Sequence, residues 1–73
     1  MNRLPSLSAR QCIRALKKAG FYESSQKGSH ITFRHPNRPG KVIVPNHKAL
    51  KRGTLRAIIR QAGLSVEEFL ELL

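Results

Sequence analysis

The sequence predicts a two-layer α+β fold, with helices covering one face of a three-stranded antiparallel sheet. Three observations carry this. Apolar residues recur at helical spacing near both ends of the chain. Between them lie three short stretches with strand character. The links between those stretches are of hairpin length, which antiparallel neighbours can use and parallel ones cannot. Three strands alone would leave an apolar face in water, so the helices must cover it. The opposite face is expected to be open. At 73 residues the chain is one domain, 1–73, near the size where a single core is only marginally sufficient. It has no room for a large cofactor, and none is expected.

Taken in order, the first element is a helix. Ser8 and Gln11, three residues later, form a capping-box pair. Ala9, Cys12, Ile13 and Leu16 then recur at i, i+3, i+4 and i+7, giving one apolar face. Arg10, Arg14, Lys17 and Lys18 fall largely off that face. Gly20 is placed to stop the helix in the left-handed conformation, with Phe21 folding back onto it.

The strand candidates follow. "FYESSQ" is weak. "SHITFR" is stronger, being β-branched and aromatic with period-two alternation, and "KVIVP" is a short apolar run ended by Pro45. Lys27-Gly28 and "HPNRPG" are the expected turns. A second helix is expected from about Thr54, with Leu55, Ile58, Ile59 and Ala62 on its apolar face and Gly63 as its stop. Ser65 and Glu68 form a second capping box. It opens a final short helix with Val66, Phe69, Leu70 and Leu73 inward and its acids near the favourable end of the helix dipole.

Charge narrows the function. Fourteen Lys/Arg face four acids, a net charge of +10. Residues 64–73 hold three of those acids and no base, so the rest of the chain is more basic still. A surplus of this size repels itself in the folded state and is best explained by a polyanionic partner. Nucleic acid fits first, because neutralising phosphates releases counterions and supplies affinity without base reading. A membrane surface is disfavoured, since no stretch combines a basic face with bulky aromatic anchors. The N-terminal "MNRLPSLSAR" has no apolar core of signal-peptide length, and no run approaches membrane-spanning length. Cys12 is the single cysteine, which excludes an internal disulfide and suits a reducing compartment. A whole small cytoplasmic protein is expected.

Within "QKGSHITF", alternation puts Ile31 and Phe33 on the core face, so His30, Thr32 and Arg34 share the open one. His30 therefore faces solvent and any bound polyanion. An idle surface histidine is one reading. A placed acid–base group is the other, favoured by three features. Gly28 and Ser29 are small and permit a close approach. Lys27 and Arg34 flank the histidine and can hold phosphates. Imidazole titrates near neutrality and so can move a proton in a phosphodiester reaction. The chemistry this permits is metal-independent RNA cleavage: the base takes the proton of a ribose 2′-OH, whose oxygen attacks the adjacent phosphorus. DNA lacks that hydroxyl.

The remaining candidates are graded by position. His35, before Pro36, is expected to be a turn residue. His47, in the loop after Pro45, is either a phosphate contact or proton-transfer group, or a plain loop residue. Glu23 stands apart from the other three acids, so no carboxylate cluster is available for Mg²⁺, and the three histidines lack a regular ligand spacing. No metal site is expected. In "KALKRG", Lys48, Lys51 and Arg52 crowd a helix start, where the dipole disfavours cations; a phosphate held by them and by backbone N–H groups would account for that, as would a solvated loop. Lys41 is a further candidate phosphate contact. Ser29 cannot work with His30 as a nucleophile, because strand neighbours point to opposite faces and the chain has no Asp to orient a base.

"LKKAGF", "QKGSHITF", "KVIVPNH" and "LKRGTLRAIIRQAGLSVEEFLELL" together resemble the HicA family of toxin–antitoxin mRNA interferases, in order and spacing over nearly the whole chain. The resemblance implies a double-stranded-RNA-binding-like α-β-β-β-α(-α) fold. It implies an RNA-cleaving toxin whose catalytic histidine is that of Gly-Ser-His, here His30, and a cognate HicB-like antitoxin that masks the active surface. The expectation is thus an endoribonuclease acting on mRNA through His30, with Lys27, Gly28, Ser29, Arg34, Lys41, His47, Lys48, Lys51 and Arg52 holding the RNA. The alternatives are a non-catalytic RNA- or DNA-binding module with the same fold, and a small interaction protein whose charge serves only its partner.

Overall fold

The computed structural model describes residues 4–73; Met1–Arg3, the start of the N-terminal stretch discussed above, lie outside the described residues. Six elements follow in the order α1 (Ala9–Lys18), β1 (Tyr22–Lys27), β2 (His30–His35), β3 (Arg38–Pro45), α2 (Arg52–Gln61) and α3 (Val66–Glu71). The strands form one antiparallel sheet in the order β1-β2-β3, with β2 central. This is the double-stranded-RNA-binding-like arrangement that the sequence led us to expect.

Local signals set the helix ends as anticipated. Ser8 accepts from the Gln11 N–H at 3.2 Å while the Gln11 side chain accepts from the Ser8 N–H at 3.0 Å. Gly20 (φ +100°) closes α1: its own N–H donates to Lys17 and the Phe21 N–H to Leu16, the paired bonds of a Schellman stop. The Ser65–Glu68 box opens α3 with the same geometry as the first. The second helix begins at Arg52, two residues before the expected Thr54.

The core lies between the sheet and the helices. Ile31 and Phe33 of β2 and Val42 and Val44 of β3 meet Cys12, Ala15 and Leu16 of α1, Leu55, Ile58 and Ile59 of α2, and Phe69 of α3. Phe33 and Phe69 are fully buried, and truncating either to Ala would cost roughly 3–5 kcal/mol.

Three sequence expectations need adjusting, and one part of the core had no counterpart among them. The buried face of α1 includes Ala15, and Ile13 is only partly buried, so the helix is rotated from the expected stripe. At the C-terminus Leu72 packs on the core, whereas Leu73 is 45% exposed, because α3 has already ended at Leu72 as its cap. The β2–β3 turn shrinks to Pro36-Asn37, since Arg38, Pro39 and Gly40 extend β3; Pro39 is tolerated there because β3 is an edge strand. Leu4, Leu7 and Leu50 also belong to the core, joined by a Leu7–Leu50 bridge between the N-terminal segment and the loop before α2.

Candidate RNA-facing site on the open sheet

Alternation along β2 decides which side chains face outward. Ile31 and Phe33 are buried, while His30 and Arg34 are exposed and Thr32 is half-exposed on the opposite face. Residues directly opposite on neighbouring strands share that face. Lys27 therefore sits across from His30, Ser25 across from Thr32 and Tyr22 across from Arg34, all on β1. On β3, Pro45 lies opposite His30 and Ile43 opposite Thr32; past Val42 the register with β2 slips, so Lys41 has no partner on β2 and borders a concavity with Gln61, Ala62 and Gly63 at the end of α2. The helices pack on the other side.

His30 stands on the last rung of this sheet, one step from the Gly28-Ser29 turn. Gly28 is required there by its φ of +61° and not by crowding, for a Cβ on it would meet nothing within 4 Å. The turn is tied down from the other strand: the Asn46 N–H donates to the Ser29 carbonyl at 2.6 Å. The chain then turns about Asn46, the His47 N–H donating to the Pro45 carbonyl at 2.9 Å, and the His47 carbonyl accepts from the Ala9 N–H at 2.9 Å. The backbones that carry His30 and His47 are thereby anchored to each other and to the start of α1.

The loop beyond His47 carries Lys48, Lys51 and Arg52, all exposed, into the N-terminus of α2. Lys51 is the N-cap and provides no side-chain cap bond, and the first turn of α2 holds no acid. The helix start is left uncapped beside three cations, electrostatically suited to a phosphate. Lys27, Gly28, Ser29 and His30 thus stand at one end of the sheet, tied by Asn46 to the segment that carries His47 and Lys48. Lys51 and Arg52 lie further along the chain at the start of α2, Arg52 bordering a concavity with Leu4, Pro5, Ser6 and Leu50. Arg34 and Lys41 do not join His30. They flank the Phe33–Val42 pair, four residues along from His30 and Pro45, which at strand spacing is about 13 Å away.

The other imidazole is occupied structurally. His35 Nδ1 accepts from the Asn37 N–H at 3.0 Å, which leaves Nε2–H to donate to the Ala19 carbonyl at 3.2 Å; the ring also meets Phe21 edge-on at 5.0 Å. It closes the C-terminus of α1 as well as lying beside a turn. Arg38 does the same for α2, donating to the carbonyls of Ala62 at 2.8 Å and Gly63 at 3.3 Å. Neither helix-end role was visible in the sequence, because each joins residues 16 to 25 positions apart. Cys12 is fully buried and desolvation pushes its thiol up to about 12, so it is an inert core filler. Among the described residues no three His, Cys, Asp or Glu side chains come together as a metal site.

Not all of the positive charge belongs to this surface. Arg10, Arg14, Lys17 and Lys18 line a shallow concavity around Ile13 on the outer side of α1, with the helix layer between them and the open face of the sheet.

A family model described as the HicA toxin of bacterial toxin–antitoxin systems matches residues 9–64, from the first residue of α1 to just past the end of α2. The chain belongs to the HicA toxin family. It is a toxin component of a toxin–antitoxin system, and membership implies a cognate antitoxin as its partner. None of the curated proteins matches the chain. The segment matched to the HicA toxin family contains every residue of the open-face site and its adjoining loop, and leaves α3 outside. No helix among the described residues of this HicA toxin is long and apolar enough to cross a membrane.

Proposed function

We propose that this HicA-family toxin is a cytoplasmic endoribonuclease that cuts mRNA without a metal ion, using His30 for proton transfer, and that a HicB-like antitoxin silences it by covering the same surface. The observation that carries the reading is the pairing of His30 with Lys27 on the open face of the sheet, at the end where β3 runs out into the basic loop. A flat, open face suits a polymer better than a small molecule, which would need a cavity.

In this mechanism His30 accepts the proton of the ribose 2′-OH as its oxygen bonds to the adjacent phosphorus. The bond from phosphorus to the 5′ oxygen of the next nucleotide breaks, that oxygen takes up a proton, and a 2′,3′-cyclic phosphate and a 5′-hydroxyl are left. Lys27 faces the same space and offsets the charge gathering on the phosphoryl oxygens. Lys48, Lys51, Arg52 and the start of α2 hold flanking phosphates, with Arg34 taking the strand further along the sheet. Gly28 and Ser29 keep the approach to His30 clear, and His47 is a second imidazole at the same end. An acidic antitoxin surface would compete for these cations, so inhibition and substrate binding exclude one another.

The test is cleavage of a long single-stranded RNA by purified protein in EDTA, wild type beside His30→Ala. Cutting by the wild type that the folded variant lacks is expected. RNA binding with no cutting by either protein overturns the nuclease reading in favour of a binding module. Cutting that survives His30→Ala removes His30 from the chemistry.

A further inference from the structure

Tyr22 is half exposed, and with Leu73 it is one of two large apolar side chains in water among the described residues. Leu73 ends the chain. Tyr22 instead lies in β1, and its outward direction comes from an irregularity. Counting back from Lys27 by strict alternation would turn Tyr22 to the core side and Phe21 outward. The register shift between Glu23 and Ser25 reverses this: one additional residue, Ser24, enters β1 without a partner on β2. Phe21 is buried as a result, and Tyr22 stands opposite Arg34 on the face that carries His30.

An aromatic ring beside a guanidinium is the combination that holds an unpaired base and its phosphate. We propose that Tyr22 is a stacking platform for one nucleobase of a single-stranded RNA, with Arg34 on an adjoining phosphate. This rests on the nuclease reading above and extends it by a second contact point on the strand. The platform is four residues along the sheet and one strand across from His30, about 14 Å. That is about four nucleotides if the bases stay stacked at 3.4 Å, and fewer in an extended strand. A contact so far from the breaking bond binds ground and transition states alike, so it lowers KM and leaves kcat unchanged.

The chain contains one tyrosine and no tryptophan, so its intrinsic emission reports on Tyr22 alone. The experiment titrates the His30→Ala protein with a 12-nucleotide single-stranded RNA, following tyrosine emission against a tyrosine-amide control for inner filtering, and RNA anisotropy in parallel. Quenching that tracks binding is expected. Tyr22→Leu should bind about 5- to 100-fold more weakly and Tyr22→Phe close to the parent. In the otherwise wild-type enzyme Tyr22→Leu should raise KM at unchanged kcat. RNA that binds and is cut while Tyr22 emission and the Tyr22→Leu affinity stay unchanged overturns the platform and leaves the nuclease reading standing. Emission that responds to the antitoxin and not to RNA overturns it too, assigning Tyr22 to the protein interface. RNA neither bound nor cut by the wild type overturns both readings. Should Tyr22→Leu fail to fold, by circular dichroism, the emission titration decides.

Discussion

Asn46 and Ser29 are joined by a 2.6 Å hydrogen bond that clamps the turn before His30 to the loop that carries His47. One backbone N–H thereby sets the spacing of the two imidazole-bearing segments. Asn46→Pro deletes that donor, and Pro45, already extended, accepts a following proline. The expected cost to stability is about 0.5–1.5 kcal/mol. RNA cleavage should fall by more than that loss explains, because His30 is then held less firmly. Denaturant melts and initial cleavage rates on the same preparation check this; a variant that cuts at the parent rate removes the clamp from the function.

The two basic surfaces can be told apart by salt. Single-stranded RNA binding should lose about 0.7 from the slope of log K against log salt for each phosphate contact removed. Lys27→Ala, on the open face, is expected to show that loss. Arg14→Ala, on the outer side of α1, is expected to leave the slope at its parent value. Binding isotherms at four or more salt concentrations give both slopes, and equal losses would show that RNA does not favour the sheet.

Gly20 and His35 are packed so closely that a Cβ on Gly20 would lie 2.8 Å from His35 Nε2. Gly20→Ala should therefore destabilise twice over, through its φ of +100° and through the clash. His35→Ala should cost about 1–2 kcal/mol, from the bonds to Ala19 and Asn37 and the contact with Phe21. The double variant should be less destabilised than the two single losses added together, since the clash goes with the ring. Thermal melts resolve this, each kcal/mol being about 4–8 °C in a domain of this size.

Glu68 sets an acid limit on the third helix. Its carboxyl accepts the Ser65 N–H at 2.8 Å, which together with the Ser65 hydroxyl contact and the more distant Arg38 charge holds it below its ordinary value of 4.5. A carboxyl depressed in the folded state contributes stability above its unfolded value, and that contribution is lost as pH falls through the folded one. Stability should thus be steady near neutrality and decline below about pH 4.5. Glu68→Gln should flatten that decline. Melts from pH 7 to pH 3 on both proteins test it, and an unchanged acid limb would mean that the Ser65–Glu68 cap does not titrate with folding.

The helices were legible in the sequence because their information is local. A capping box, a left-handed glycine and a 3.6-residue apolar rhythm all act within about four positions, and Ser8, Gly20, Gly63 and Ser65 each stand where that chemistry placed them. The outward direction of His30 was legible for the same reason, since Ile31 and Phe33 can only be core and strand neighbours must alternate.

What only the tertiary structure decided depends on pairing between distant residues. All six residues of β1 are exposed, so the strand is held by its ladder to β2, which no burial pattern in "FYESSQ" announces. The irregularity at Ser24 exchanges the faces of Phe21 and Tyr22, and only the partner strand reveals it. His35 and Arg38 look like turn residues and spare charge until the fold brings them to the ends of α1 and α2. Strand geometry likewise carries Arg34 and Lys41 away from His30, while Asn46, unremarkable in the chain, becomes the tie between the turn and the loop. The sequence by itself determined the elements and the face that His30 presents. Register, a non-local property settled by which strands pair, decided what stands beside it.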